Sequence, residues 1–258
     1  MNRREFLTGF LATGTARLAS GQAPERRVKV VKLFKSPDGH PNGLETSPEG
    51  LWIGEQVTDR AHLVDWSGRV IRSVETESSN TSGIAYGGGF LWMAANGKAL
   101  WRPARATDAT TGEIVKVDPA TGKTAGRYPV PGGGGVHGLE FAEGKLWITS
   151  LRISKLSQVD PADFRVVHQI PVQLSRAHGL AWDPPGIWCM FSNDRVIQKL
   201  DARDGRVLEV IRLAPDDPDP HGLCLHEGKL YYCDAGIGPG GTANKSPWAG
   251  YICRIDPV

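Results

Sequence analysis

A single unit recurs five times along this chain with nearly fixed internal spacing. Counting from the glycine of each Gly-Leu or Gly-Ile pair (Gly43, Gly83, Gly138, Gly179, Gly222), an aromatic residue follows nine positions later in every copy: Trp52, Trp92, Trp147, Trp188 and Tyr231. An aspartate stands at offset 22 in three copies (Asp65, Asp160, Asp201) and at 35 and 34 in the others (Asp118, Asp256), which therefore carry insertions of 13 and 12 residues. Five aligned copies make the chain a repeat array before any propensity is weighed. Each copy reads as short runs rich in β-branched and aromatic residues, bounded by turns such as Pro48-Glu-Gly50 and Asp118-Pro-Ala-Thr-Gly122. Four antiparallel strands in about 40 residues make a propeller blade rather than a helical repeat.

The ends of the array predict how it closes. The fifth copy stops at Asp256-Pro-Val258, before a fourth strand, and an orphan strand, Val28–Phe34, precedes the first copy. Pairing the two completes the last blade and removes its exposed edge. The expectation is an all-β, five-bladed propeller of four-stranded antiparallel blades over residues 24–258, its ring closed by the N-terminal strand.

Residues 1–23 read as a leader. Asn2-Arg-Arg-Glu-Phe-Leu7 resembles the twin-arginine export motif, a mildly apolar stretch runs from Phe10 to Ala19, and Gly21-Gln-Ala23 suits cleavage. The stretch is too short and too polar to anchor the chain in a membrane. The expected location is therefore periplasmic or secreted. A formal net charge of +2, with the basic residues dispersed, gives no nucleic-acid footprint. A monomer working on a small molecule is expected. The four cysteines (Cys189, Cys224, Cys233, Cys253) lack metal-type spacing. A Cys189–Cys233 bridge between blades, a Cys233–Cys253 bridge and four free thiols remain alternatives.

The residue before each repeat glycine is placed at the mouth of the propeller axis. Around the ring these residues are Asn42, Ser82, His137, His178 and His221. Three neighbouring imidazoles suit a divalent metal with an open coordination position, with Glu55 or Glu140 as base. The competing reading is that each His-Gly merely locks adjacent blades. A second set of residues ends the second strands on the same face and differs in every copy. From it come Glu55 and the candidate substrate-binding residues Asn96, Arg152, Asn193 and Asp234. Both insertions fall there as well, Asn96–Thr111 with Trp101 and Gly236–Trp248 with Trp248, and predict a wall or lid over the mouth. The aromatic at offset nine is expected in the core, and the repeat aspartate in a turn.

The copies His137-Gly-Leu-Glu-Phe-Ala-Glu-Gly-Lys-Leu-Trp-Ile and His178-Gly-Leu-Ala-Trp-Asp resemble the repeat of NHL/SMP-30-type propellers, virginiamycin B lyase-like proteins above all. That resemblance covers residues 28–258 and implies opening of a cyclic ester by elimination in a central top-face pocket. It also implies a divalent metal and a His/Glu set, with His178, His221 and Glu140 as counterparts. Gly138-Leu-Glu140 through Trp147, with Val159-Asp-Pro161 and Leu51-Trp-Ile-Gly-Glu55, is similar to bacterial five-bladed glutaminyl cyclotransferase. The functional expectation is a metal-dependent lyase or hydrolase of an ester or lactone. A cyclotransferase-like enzyme and a non-catalytic binding propeller are the alternatives.

Overall fold

The computed structural model describes residues 23–238, 241–243 and 246–258. It is all-β: five sheets of four antiparallel strands, one per repeat, with each repeat glycine on the innermost strand or at its threshold. The innermost strands are Pro41–Ser47, Thr81–Gly87, Leu139–Ala142, Ala177–Asp183 and Leu223–His226, for blades one to five. Residues 1–22, which carry the predicted leader apart from its last residue, lie outside the described residues.

The repeat glycine has a steric origin. A Cβ on Gly83 would stand 2.0 Å from the His137 carbonyl oxygen, and one on Gly138 would stand 1.8 Å from that of His178. On Gly43, Gly179 and Gly222 it would meet the backbone of the next blade at 2.6, 2.2 and 2.8 Å. Each innermost strand therefore abuts its neighbour along the axis, and only glycine permits that approach. The space enclosed by these glycines and their neighbours has no room for a water molecule. The axis is thus plugged by backbone at this level rather than open from face to face.

Apolar packing runs between blades, in five clusters at the five blade junctions. Trp52, Trp92, Trp147 and Trp188 are each 1% exposed and Tyr231 is 8% exposed, so the repeated aromatic is core, as expected. Four of the repeat aspartates close turns, as where Asp65 Oδ1 accepts from the backbone of Ser67 and Arg69 and Asp118 Oδ1 from that of Ala120 and Thr121, whereas Asp256 lies within the last strand and pairs with Arg254.

The predicted closure is present. Val28–Lys35 pairs antiparallel with Tyr251–Pro257 and supplies the outer strand of blade five. A further clasp was not expected: Glu25–Arg26 continues as a short parallel strand on Val207–Arg212 of blade four. Crossed ion pairs, Arg26 with Glu209 and Arg212 with Glu25, flank it. The start of the propeller thus stitches its last two blades together. All four cysteines are buried free thiols, which selects the third of the alternatives.

Candidate functional site

Three of the innermost strands are irregular where they leave the mouth. Their register to the second strand shifts between Pro41 and Gly43, Thr81 and Gly83, and Ala177 and Leu180. Such an irregularity re-aims a side chain. Here it affects the position just before the glycine, occupied by Asn42, Ser82 and His178. His137 and His221 stand at the corresponding positions of blades three and five, just ahead of their innermost strands.

The structure brings the three predicted histidines together. The rings of His137 and His178 stack with centroids 4.5 Å apart and planes 13° from parallel. His221 meets His178 edge to face, at 5.1 Å and 84°. His178 is completely buried, and neither of its ring nitrogens has a hydrogen-bond partner; His137 Nδ1 and His221 Nε2 are likewise buried and unpartnered. His221 Nδ1 faces the Asp219 carbonyl oxygen at 3.3 Å. Burial disfavours protonation of all three; neighbouring charges add to it at His137 and His178, whereas at His221 Asp219 and Asp234 oppose it. His137 is held down to about 3, and His178 and His221 also lie below the ordinary histidine range. They are neutral imidazoles at pH 7. One cation, Arg176, acts electrostatically on every one of them.

The donor chemistry of this trio suits a divalent metal, but its geometry does not. Among the described residues no three His, Cys, Asp or Glu side chains are placed to hold an ion together. The stacking explains this: imidazole lone pairs lie in the ring plane, and two nearly parallel planes share no point at bonding distance from both rings. The three-ligand centre expected from the sequence is therefore not built.

The predicted carboxylates are not delivered to the imidazoles either. Glu55 is fully buried and serves the loop before blade one, where its Oε2 accepts from His40 N–H at 2.8 Å. Burial raises its pKa against those hydrogen bonds. Glu140 lies two residues beyond Gly138, on the far side of the glycine plug. Its partners in the repeat are Glu45 and Cys224, and the three influence one another electrostatically. Glu45 Oε1 accepts from the Thr46 backbone N–H at 2.6 Å and from the Thr46 hydroxyl at 3.3 Å, while its Oε2 is buried without a partner. Burial raises Glu45 to about 8 and Glu140 well above the carboxylate range, so both are protonated at neutral pH.

The outer candidates divide in the same manner. Asn96 Oδ1 accepts from Val136 N–H at 3.1 Å and fixes the approach to His137. Asp234 accepts from Gly236 N–H and Asp219 N–H, both at 2.8 Å, and from the Ser246 hydroxyl. Both are loop staples. Arg152 is exposed and lies over the glycine loop at Gly133 and Gly134. Asn193 is exposed and accepts from Arg176 at 3.4 Å. Trp248 sits on the rim, with Lys32 Nζ 3.9 Å above its ring. The two insertions do meet: a Cβ on Gly241 would stand 2.9 Å from Leu100 and 3.1 Å from Trp101. The blade-two insertion is held by Arg102, which pairs with Asp59 and Asp108 at 2.8 and 2.6 Å.

Arg176 is the residue the repeat did not disclose. It stands three positions before Gly179, is half-buried, and lines a cleft between blades three and four of about 260 Å³. Leu151, Val172, Leu174 and Ala177 give that cleft an apolar wall, and Ser150, Ser154, Ser175 and Lys155 a polar one.

No protein-family profile matches the chain, and no curated protein matches it in sequence. Solved structures do match it in shape. The glutaminyl cyclase of Myxococcus xanthus superposes with a TM-score of 0.67 at 13% identity, covering 92% of this chain and all of that one. A streptogramin B lyase superposes with a TM-score of 0.52 at 13% identity, covering 90% of this chain and 98% of the other. A luciferin-regenerating enzyme gives 0.51 at 13%, covering 89% and 95%. The two kinds of propeller that the repeat resembles are thus both structural neighbours of this chain, and at these identities the likeness is one of fold.

Proposed function

We propose that the protein is an exported enzyme, a lyase or hydrolase of a small ester- or lactone-type substrate, working at the top-face mouth around His137, His178 and His221. The observation that carries the proposal is His178. A buried polar group without a partner costs about 1–3 kcal/mol, and this ring has two. A fold that needed only to lock blades would place an apolar side chain there. Blades one and two, with Asn42 and Ser82 in the equivalent place, do without the imidazole.

A neutral imidazole carries one lone pair and one N–H, so the cluster both accepts and donates protons. In ester hydrolysis a ring nitrogen takes the proton of the attacking water as its oxygen bonds the carbonyl carbon. The ring then returns that proton to the leaving alkoxide as the C–O bond breaks. In elimination the ring nitrogen takes the proton instead from the carbon next to the one that bears the carboxylate oxygen, and the freed electron pair forms a C=C bond as the C–O bond breaks and the carboxylate leaves. The meeting of the two insertions supports a covered site from which bulk water is kept out. Export follows from the leader at residues 1–23 and is part of the same reading.

One observation favours a second reading, a propeller that binds its ligand without reacting. His137, held down to about 3, is a weak base as it stands. Turnover separates the two. A screen of lactones, cyclic esters and peptides with N-terminal glutamine, with metal analysis alongside, should give hydrolysis or elimination of a lactone or cyclic ester that survives chelation. Binding without turnover supports the second reading. Cyclisation of the glutamine peptides supports the cyclotransferase. Loss of activity on chelation, restored by a divalent ion, brings back the metal centre.

A further inference from the structure

We propose that the molecule held at the top face is an amphipathic carboxylate, its anionic head on Arg176 beside the imidazoles and its apolar body in the cleft between blades three and four. The proposal rests on the histidine cluster being the functional site and names the chemical class that site would select.

The other half-buried arginines of this propeller pair with a carboxylate, as Arg102 does with Asp59 and Asp108, Arg195 with Asp219 and Arg254 with Asp256, whereas arginines without one, such as Arg105 and Arg152, are exposed. Among the described residues Arg176 has no such partner. Its side chain makes one long hydrogen bond, 3.4 Å, to the neutral amide oxygen of Asn193. Asp219 does exert its charge on Arg176, but it is already bridged to Arg195 at 3.2 Å. A half-buried guanidinium without a counter-charge is costly to keep, and its planar fork matches a carboxylate in two hydrogen bonds. The neighbouring imidazoles are neutral and carry no competing negative charge.

The adjoining cleft decides the rest of the ligand. Its apolar wall, from Leu151, Val172, Leu174 and Ala177, and its volume of about 260 Å³ suit a short alkyl or single-ring body. Lys155, also bonded to a neutral amide oxygen, Gln169 Oε1 at 3.3 Å, adds a second positive charge to the cleft, but of the two only Arg176 acts electrostatically on the imidazoles.

Calorimetric titration with hexanoate, octanoate and phenylacetate tests both halves, with hexanamide as the body without charge and acetate as the charge without body. Hexanoate or one of its counterparts should bind at least about tenfold more tightly than hexanamide or acetate. Arg176→Gln should lose at least about tenfold for the acids and leave hexanamide unchanged. If that variant does not fold, the wild-type series decides alone. Equal affinity for hexanamide, an intact Arg176→Gln, or no binding by any of the three acids overturns the proposal. The catalytic reading fails separately. Turnover of a lactone without preference for the acids removes only the charge assignment, and acid binding without turnover removes only the catalysis.

Discussion

His137 and His178 stack face to face at 4.5 Å although they belong to different blades. What permits this is the glycine between them in sequence, Gly138, whose missing Cβ would stand 1.8 Å from the His178 carbonyl oxygen. The histidine cluster and the plugged axis are therefore one construction: blades close enough to seal the axis also bring their leading side chains into contact.

That construction predicts that Gly138→Ala is far more damaging than an alanine elsewhere on the strands. Backbone must move to accept the Cβ, at a cost of several kcal/mol. At Gly54, by contrast, a Cβ would meet only side-chain atoms at 3.4 Å and beyond, so Gly54→Ala should change stability by less than about 1 kcal/mol. Denaturant midpoints of the two variants check this. Equal midpoints would refute the steric account of the repeat glycine.

Closure by the N-terminal strand predicts the effect of its removal. Deleting residues 24–36 strips the outer strand from blade five and the clasp from blade four, exposing two strand edges. Light scattering should show association and a loss of cooperative melting. A deletion variant that stays monomeric with unchanged melting would contradict it.

The buried acids and histidines predict opposite pH slopes. Glu45 is raised in the folded state, and Glu140 more so, so the stability they give is complete below their unfolded value near 4.5. It is lost as pH rises towards about 8 and above. The histidines are lowered, so their contribution is complete above 6.5 and is lost as pH falls towards about 3. Stability should peak near pH 6 and fall on either side, by up to about 1.4 kcal/mol per pH unit for each proton exchanged. Glu45→Gln should flatten the alkaline limb and leave the acid limb in place. An unchanged alkaline limb in that variant would remove Glu45 from the account.

Export is tested by changing Arg3 and Arg4 to Lys together, which should keep the propeller folded and leave it in the cytoplasm. Undiminished periplasmic accumulation of the variant would show another route.

The fold was legible because sterics repeat. Gly43 and its four equivalents face the same axis, and Trp52 and its equivalents the same kind of blade junction, so period alone exposes them. Val28–Lys35 was legible from the strand that blade five lacked. The site was legible only in part. His137, His178 and His221 stand in register and meet in the structure, whereas the glycine plug separates Glu140 from them. The readable sign was Glu45, two residues past Gly43 as Glu140 is past Gly138, which marks a level of its own along the axis. Asn96 and Asp234 bond backbone N–H groups, and a loop amide or carboxylate looks the same in sequence whether it meets a ligand or a backbone N–H. Arg176 has no arginine at the equivalent position of another blade, so no repeat could reveal it.

The central claim is that His178 is kept for function at the expense of stability, and His178→Leu measures both at once. Replacing a fully buried ring that has two unpartnered nitrogens with an apolar side chain should hold or raise the unfolding free energy, by up to about 2 kcal/mol. Turnover of the responsive ester or lactone should meanwhile fall by about a hundredfold or more. A variant that unfolds more readily while keeping its activity would show the histidine to be a lock between blades, and would contradict the account.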